Sequence, residues 1–72
     1  MSYTQIRGVR RRQRILDFLK SEAREGHPPP TVREIATVAG CSVATTYQHL
    51  RVLESTERIS RKPYISRSVR VL

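Results

Sequence analysis

Apolar side chains recur along this chain with two different periods. Ile15, Leu16, Phe18, Leu19 and Ala23 fall at helical spacing and mark one buried face. Gly26 and the run Pro28-Pro29-Pro30 end that pattern and impose an extended connector, so a first helix is expected over about 9–25. Residues 1–8 (MSYTQIRG) carry no period and are expected to form a flexible segment ahead of a single domain at 9–72. Thr31-Val32-Arg33-Glu34 has the form of a capping box, in which Thr31 accepts the amide proton of Glu34 while the Glu34 carboxylate reaches back to the Thr31 amide. A second helix therefore starts there, with Ile35, Ala36, Val38 and Ala39 as its apolar face and Gly40 supplying a positive φ at its end. Ser42 is the next N-cap, and a third helix runs to about Ser55 with Thr46, Leu50 and Leu53 inward. His49 lies beside that stripe, at its boundary.

The period then changes to two. Arg58-Ile59-Ser60-Arg61 alternates, Lys62-Pro63-Tyr64 has turn chemistry, and Ser68-Val69-Arg70-Val71-Leu72 alternates again. That is a β-hairpin signature. The expected fold is mainly α with a small β-hairpin: a winged helix-turn-helix, three helices followed by a two-stranded wing. The short link Ala39-Gly40-Cys41-Ser42 sets the third helix steeply against the second, and small Ala36 and Ala39 permit their close approach.

Charge narrows the function. Fourteen Lys+Arg against six Asp+Glu give a formal net charge of +8, which points to a polyanionic partner. All but Lys20 and Lys62 of the basic residues are Arg, whose planar fork suits phosphate and the guanine edge. Seventy-two residues provide one modest core and no room for a buried substrate cavity. No nucleophile–base or carboxylate pair shares a face, so an enzyme is not expected. Cys41, His27 and His49 match no zinc-ligand spacing, and no cofactor, metal or small-molecule substrate is expected. The chain shows no signal peptide and no apolar run long enough for a membrane span, which gives an expectation of a cytoplasmic protein held at the nucleoid by DNA.

On the third helix, Ser42, Ala44, Thr45, Tyr47 and Gln48 lie off the buried stripe within the turns that read bases in such motifs. Gln48 can bond adenine bidentately, Thr45 offers a hydroxyl or methyl, and Ala44 can pack on a thymine methyl. Tyr47 is equally consistent with a half-buried aromatic. Arg51, one turn on, is placed on a phosphate. Arg61, Lys62 and Arg67 make the wing basic, for the backbone or the minor groove. Arg10, Arg11, Thr31 and Arg33 complete the backbone set. A winged helix used for protein interaction and a non-specific nucleic-acid binder are the alternatives. The first predicts salt-insensitive DNA binding, and the second lacks exposed aromatics for stacking.

The stretch RRQRILDFLKSEAREGHPPPTVREIATVAG, with HLRVLE and RKPYISRSVRVL after it, resembles the N-terminal DNA-binding domain of LexA, the SOS-response repressor. The likeness covers roughly residues 11–72, and its most specific elements are Pro29-Pro30-Thr31, Arg33-Glu34-Ile35, His49-Leu50 with Leu53, and Pro63, Arg67 and Val69 of the wing. It implies a third helix in the major groove, with Ser42, Ala44, Thr45, Tyr47 and Gln48 at the base-contacting positions. The expected partner is double-stranded DNA, met by a chain that is monomeric in isolation, and strong operator binding would require dimerisation on DNA or through a domain these residues lack. Glu57-Arg58 departs from the family's glycine and apolar residue at the end of the third helix, which leads us to expect a looser junction there. The family's second domain, with a Ser-Lys self-cleavage dyad and most of the dimer interface, has no counterpart in these residues.

Overall fold

A computed structural model describes residues 3–72, with side chains from Arg7 onward. The elements follow one another as α1 (Tyr3–Arg24), α2 (Val32–Ala39), α3 (Val43–Ser55), β1 (Ile59–Ser60) and β2 (Arg70–Val71). This is the winged helix-turn-helix order. The strands pair antiparallel with Ile59 opposite Val71 and Ser60 opposite Arg70, and Leu72 N donates to Arg58 O at 3.0 Å beyond them. No helix among the described residues is long and apolar enough to cross a membrane.

The core takes Ile15, Leu16 and Leu19 from α1, Ile35 and Ala39 from α2, Leu50 and Leu53 from α3, and Ile59 and Val69 from the wing. All three helices and β1 thus contribute, and the wing is seated on the helices by Ile59 and by Val69 just before β2, with Val71 of β2 partly buried against them. Ile15, Ile35 and Leu50 are fully buried and form the point where the three helices meet.

Each helix ends in the same backbone device, in which the chain turns left-handed and two amides reach back to the last turn. His27 N to Glu22 O at 2.9 Å and Gly26 N to Ala23 O at 3.1 Å close α1; Cys41 N to Ala36 O at 3.2 Å and Gly40 N to Thr37 O at 3.3 Å close α2. Arg58 N to Leu53 O at 2.8 Å and Glu57 N to Glu54 O at 3.1 Å close α3. Gly26 and Gly40 take the left-handed position at φ 74° and 70°, whereas at the end of α3 it falls to Glu57 at φ 60°. The junction expected to be loose is closed by two backbone bonds, with a non-glycine residue in a conformation that favours glycine.

Other expectations shift. α1 starts at Tyr3, so the segment expected to stand apart at 1–8 is helical from residue 3 on; residues 1–2 lie outside the described ones. An apolar period reports a buried face, and it is silent about turns that overhang the core, such as the one carrying exposed Arg7. Val38 is 38% exposed and leaves the α2 face to Ile35, Ala36 and Ala39. Phe18 is partly buried and Ala23 is exposed. His49, expected at a boundary, is buried. The hairpin keeps only two residues per strand, and the stretch from 61 to 69 is loop.

Candidate nucleic-acid interface

The N-terminus of α3 is built by short-range hydrogen bonds. Ser42 is its N-cap and Ser42 Oγ accepts from Thr45 N at 3.1 Å. Ser42 Oγ also donates to Thr45 Oγ1 at 3.1 Å, which leaves the Thr45 hydroxyl proton free to be given outward. One residue on, Thr46 is fully buried: its Oγ1 donates to Ser42 O at 2.9 Å and lies 3.3 Å from Cys41 Sγ. Thr46 locks the first turn of α3 while Thr45 stays half-buried beside it. Ala44, Gln48 and Arg51 are exposed along the next turns, and neither Gln48 nor Arg51 has a side-chain partner among the described residues. An exposed carboxamide with no partner inside the chain can satisfy its donor and acceptor together on one adenine.

A groove of about 450 Å³ runs beside this helix, between α2, α3 and the wing loop. Thr31, Arg33, Tyr47, Arg61, Lys62 and Arg67 all line it. Six of the expected contact positions, scattered over thirty-odd residues of sequence, are therefore brought to one cleft. Arg33 and Lys62 are exposed there with no ion pair among the described residues. Thr31 is tied up as the N-cap of α2: its Oγ1 accepts from Glu34 N at 3.1 Å, and Thr31 N donates to Glu34 Oε1 at 3.2 Å.

Glu54 and Glu34 are each paired with a wing arginine that lines the groove. Arg61 Nε donates to Glu54 Oε1 at 3.2 Å, and the Arg61 guanidinium carbon sits 5.5 Å from the Tyr47 ring centroid. Arg61 thus braces the wing against α3, and Tyr47 is 38% exposed beside it. Arg67 Nη2 lies 2.9 Å from Glu34 Oε1, and Arg67 Nη1 donates to Pro29 O at 3.2 Å. The Thr31 amide, then its hydroxyl, then Arg67 hold the Glu34 carboxyl below its ordinary pKa. With both carboxylates engaged, Arg33 and Lys62 remain as the groove-lining cations without an ion pair among the described residues.

Arg10 and Arg11 do not reach the groove. Arg10 is exposed on α1, while Arg11 is half-buried with its Nε donating to Ala39 O at 3.3 Å, a tie between α1 and the end of α2. Nearby, His49 is buried between cations: desolvation first, then Arg12 and Arg11, lower its pKa. Its Nδ1 and Arg12 Nε are buried without a hydrogen-bond partner among the described residues. The sequence reading passed over Val43, Tyr64, Ile65 and Arg70. The first three line the groove, and Arg70 is exposed on β2, as its alternation with Val69 and Val71 could have told.

The LexA DNA-binding domain family matches residues 8–68, most of the chain and all of the helix-turn-helix. The chain belongs to that family. LexA repressors of Geobacillus sp. (strain WCH70) and Halalkalibacterium halodurans are 42% and 44% identical to it over 64 residues, covering 88% of this chain and 31% of each relative. The LexA repressor of Oceanobacillus iheyensis is 41% identical over the same span. The chain therefore spans about a third of the length of these LexA relatives. No solved structure gives a significant match. The family match covers α2, the Gly40 turn, α3, β1 and the wing loop as far as Ser68, which are the parts that build the face described above.

Proposed function

We propose that this chain is a sequence-specific DNA-binding repressor module of the LexA kind, inserting α3 into the major groove of double-stranded DNA. Ser42, Ala44, Thr45, Tyr47 and Gln48 meet base edges, and the observation that carries this is the exposed, unpartnered Gln48 flanked by a groove lined with cations. Arg10, Arg33, Arg51 and Lys62 are free to neutralise phosphates, so binding falls steeply with salt. Thr31, Arg11, Arg61 and Arg67 already hold intramolecular partners. In this reading they act on the backbone through groups those bonds leave over, or by fixing the elements that do. One module buries a small surface and grips a half-site weakly, so firm operator binding takes two copies on the DNA.

Selection from a random duplex library, with wild type and Gln48→Ala side by side at low and high salt, tests the reading. Wild type is expected to enrich one half-site, and Gln48→Ala to lose preference at one or two adjacent positions while the rest of the site persists. Unchanged preference in Gln48→Ala would remove that residue from base reading. Weak binding that ignores salt would favour a protein-interaction module.

A further inference from the structure

The wing ends in an apolar tip that none of the described residues covers. Tyr64 is fully exposed and Ile65 is 58% exposed, side by side at the end of the loop. Burial of a Tyr and an Ile is worth far more than their exposure, so their joint display on so small a domain calls for a partner. The loop is nonetheless firmly built. Ile65 N donates to Lys62 O at 3.3 Å, with Pro63 second and Tyr64 third in the resulting turn. Tyr64 sits at φ 65°, where glycine or asparagine is the usual choice. Ser68 Oγ donates to Lys62 O and accepts from Lys62 N, both at 3.0 Å, closing the base of the loop. A tyrosine held left-handed with its ring in water gains nothing from the fold, and such positions cluster where a ligand is met.

We propose that Tyr64 and Ile65 form an apolar wedge that enters the minor groove of the duplex held by α3 and opens a base step there. This rests on the DNA-binding reading above and adds a partner for the tip. Two observations and the geometry of a duplex select the occupant. Tyr64 and Ile65 line the same groove as Val43 and Tyr47 of α3, so the tip stands beside the helix assigned to the major groove. The groove next along a duplex from an occupied major groove is a minor groove. Lys62 and Arg70 stand beside Ile65 of the tip with no ion pair among the described residues, while Arg61 and Arg67 pair with Glu54 and Glu34, and no acidic residue lies between positions 58 and 72, a setting complementary to the negative minor groove. The unpaired Lys62 and Arg70 of two such wings would repel one another, which argues against a second copy as the primary cover. An apolar side chain pushed between base pairs, with cations on the flanking phosphates, is an established means of unstacking a step and bending the duplex.

The test uses the 72-residue chain and a duplex carrying one selected half-site, with 2-aminopurine placed in turn at each step of the flanking minor groove. Tyr64→Asn with Ile65→Ser removes the apolar groups while keeping a residue that tolerates the left-handed turn, and Tyr64→Phe keeps the ring. Wild type and Tyr64→Phe are expected to raise fluorescence at one step. The double variant is expected to leave the probe stacked and to bind about tenfold more weakly. Its thermal midpoint does not fall below that of wild type, because both side chains are exposed and asparagine suits the left-handed turn. Wild-type affinity with a stacked probe in every protein would overturn the wedge and leave the α3 reading intact, since Gln48→Ala still shifts base preference in the same assay. A loss confined to paired half-sites, with none on a single one, would place the tip against a second copy and overturn the proposal equally. Failure of wild type to prefer any duplex would overturn both readings.

Discussion

Arg67 Nη2 lies 2.9 Å from Glu34 Oε1, so the carboxylate that closes the capping box of α2 also anchors the wing. Glu34 is shared between a local bond, to Thr31 three residues away, and a distant one to the wing loop. The two functions are separable by substitution. Glutamine at 34 can still reach the Thr31 amide but cannot pair with Arg67. We expect Thr31→Ala to cost about 1 kcal/mol in urea unfolding, as a lost N-cap does. Glu34→Gln should leave the unfolding midpoint nearly unchanged while speeding hydrogen exchange at Ser68 and Val69. Equal exchange in wild type and Glu34→Gln would show that the pair does not restrain the wing.

The left-handed residue after α3 gives a stabilising substitution. Glu57 occupies φ 60° in a bond pattern that Gly26 and Gly40 fill at the other two helix ends. Glu57→Gly should raise stability by about 1 kcal/mol by removing the Cβ clash of that conformation. Glu57→Ala, which keeps the Cβ, should not. Denaturant midpoints of the two variants against wild type decide it.

His49 makes the fold acid-sensitive. Its folded pKa is depressed below 6.5 by burial and by Arg12 and Arg11. The unfolded chain therefore binds the proton more readily, and the stability contributed is complete above 6.5 and lost as pH falls through the folded value. His27 has the opposite sign: Glu22 raises its pKa, so its contribution is present below 6.5 and fades as pH rises through the raised value. His49→Leu should flatten the acid limb of a thermal-midpoint profile, and His27→Gln the neutral-to-alkaline one. An unaltered acid limb in His49→Leu would assign it to carboxylates such as Glu34 instead.

Arg51 is free on α3, and its role is read by salt. Arg51→Ala should weaken binding uniformly across sequences and reduce the slope of log affinity against log salt by about 1. A change in base preference would move Arg51 from phosphate to base.

Arg61 behaves differently if its bonds to Glu54 and Tyr47 are what it contributes. Arg61→Ala should then lower DNA affinity with little change in salt slope, and Arg61→Lys should restore charge without restoring affinity, since only the planar fork both pairs and stacks. Full rescue by lysine would make Arg61 a simple phosphate ligand.

The parts of this protein governed by short-range backbone rules were open to inspection in its sequence. The Thr31–Glu34 capping box, the Gly40 turn, the Ser42 cap and the Thr46, Leu50, Leu53 stripe all occur as expected, because each is decided within one or two helical turns. The exposed face of α3 followed from the same spacing. What the arginines do was decided only by the tertiary fold. Arg11 meets Ala39 O, Arg67 meets Glu34 and Pro29 O, and Arg61 bridges the wing to Glu54 and Tyr47. A long cationic side chain on a surface has no periodic signature, and its partner is whatever acceptor the packed elements bring within reach. The burial of His49 and the bare tip at Tyr64 and Ile65 are of the same kind. Each depends on where the wing and α1 come to lie against α3, and no local pattern in the chain records that.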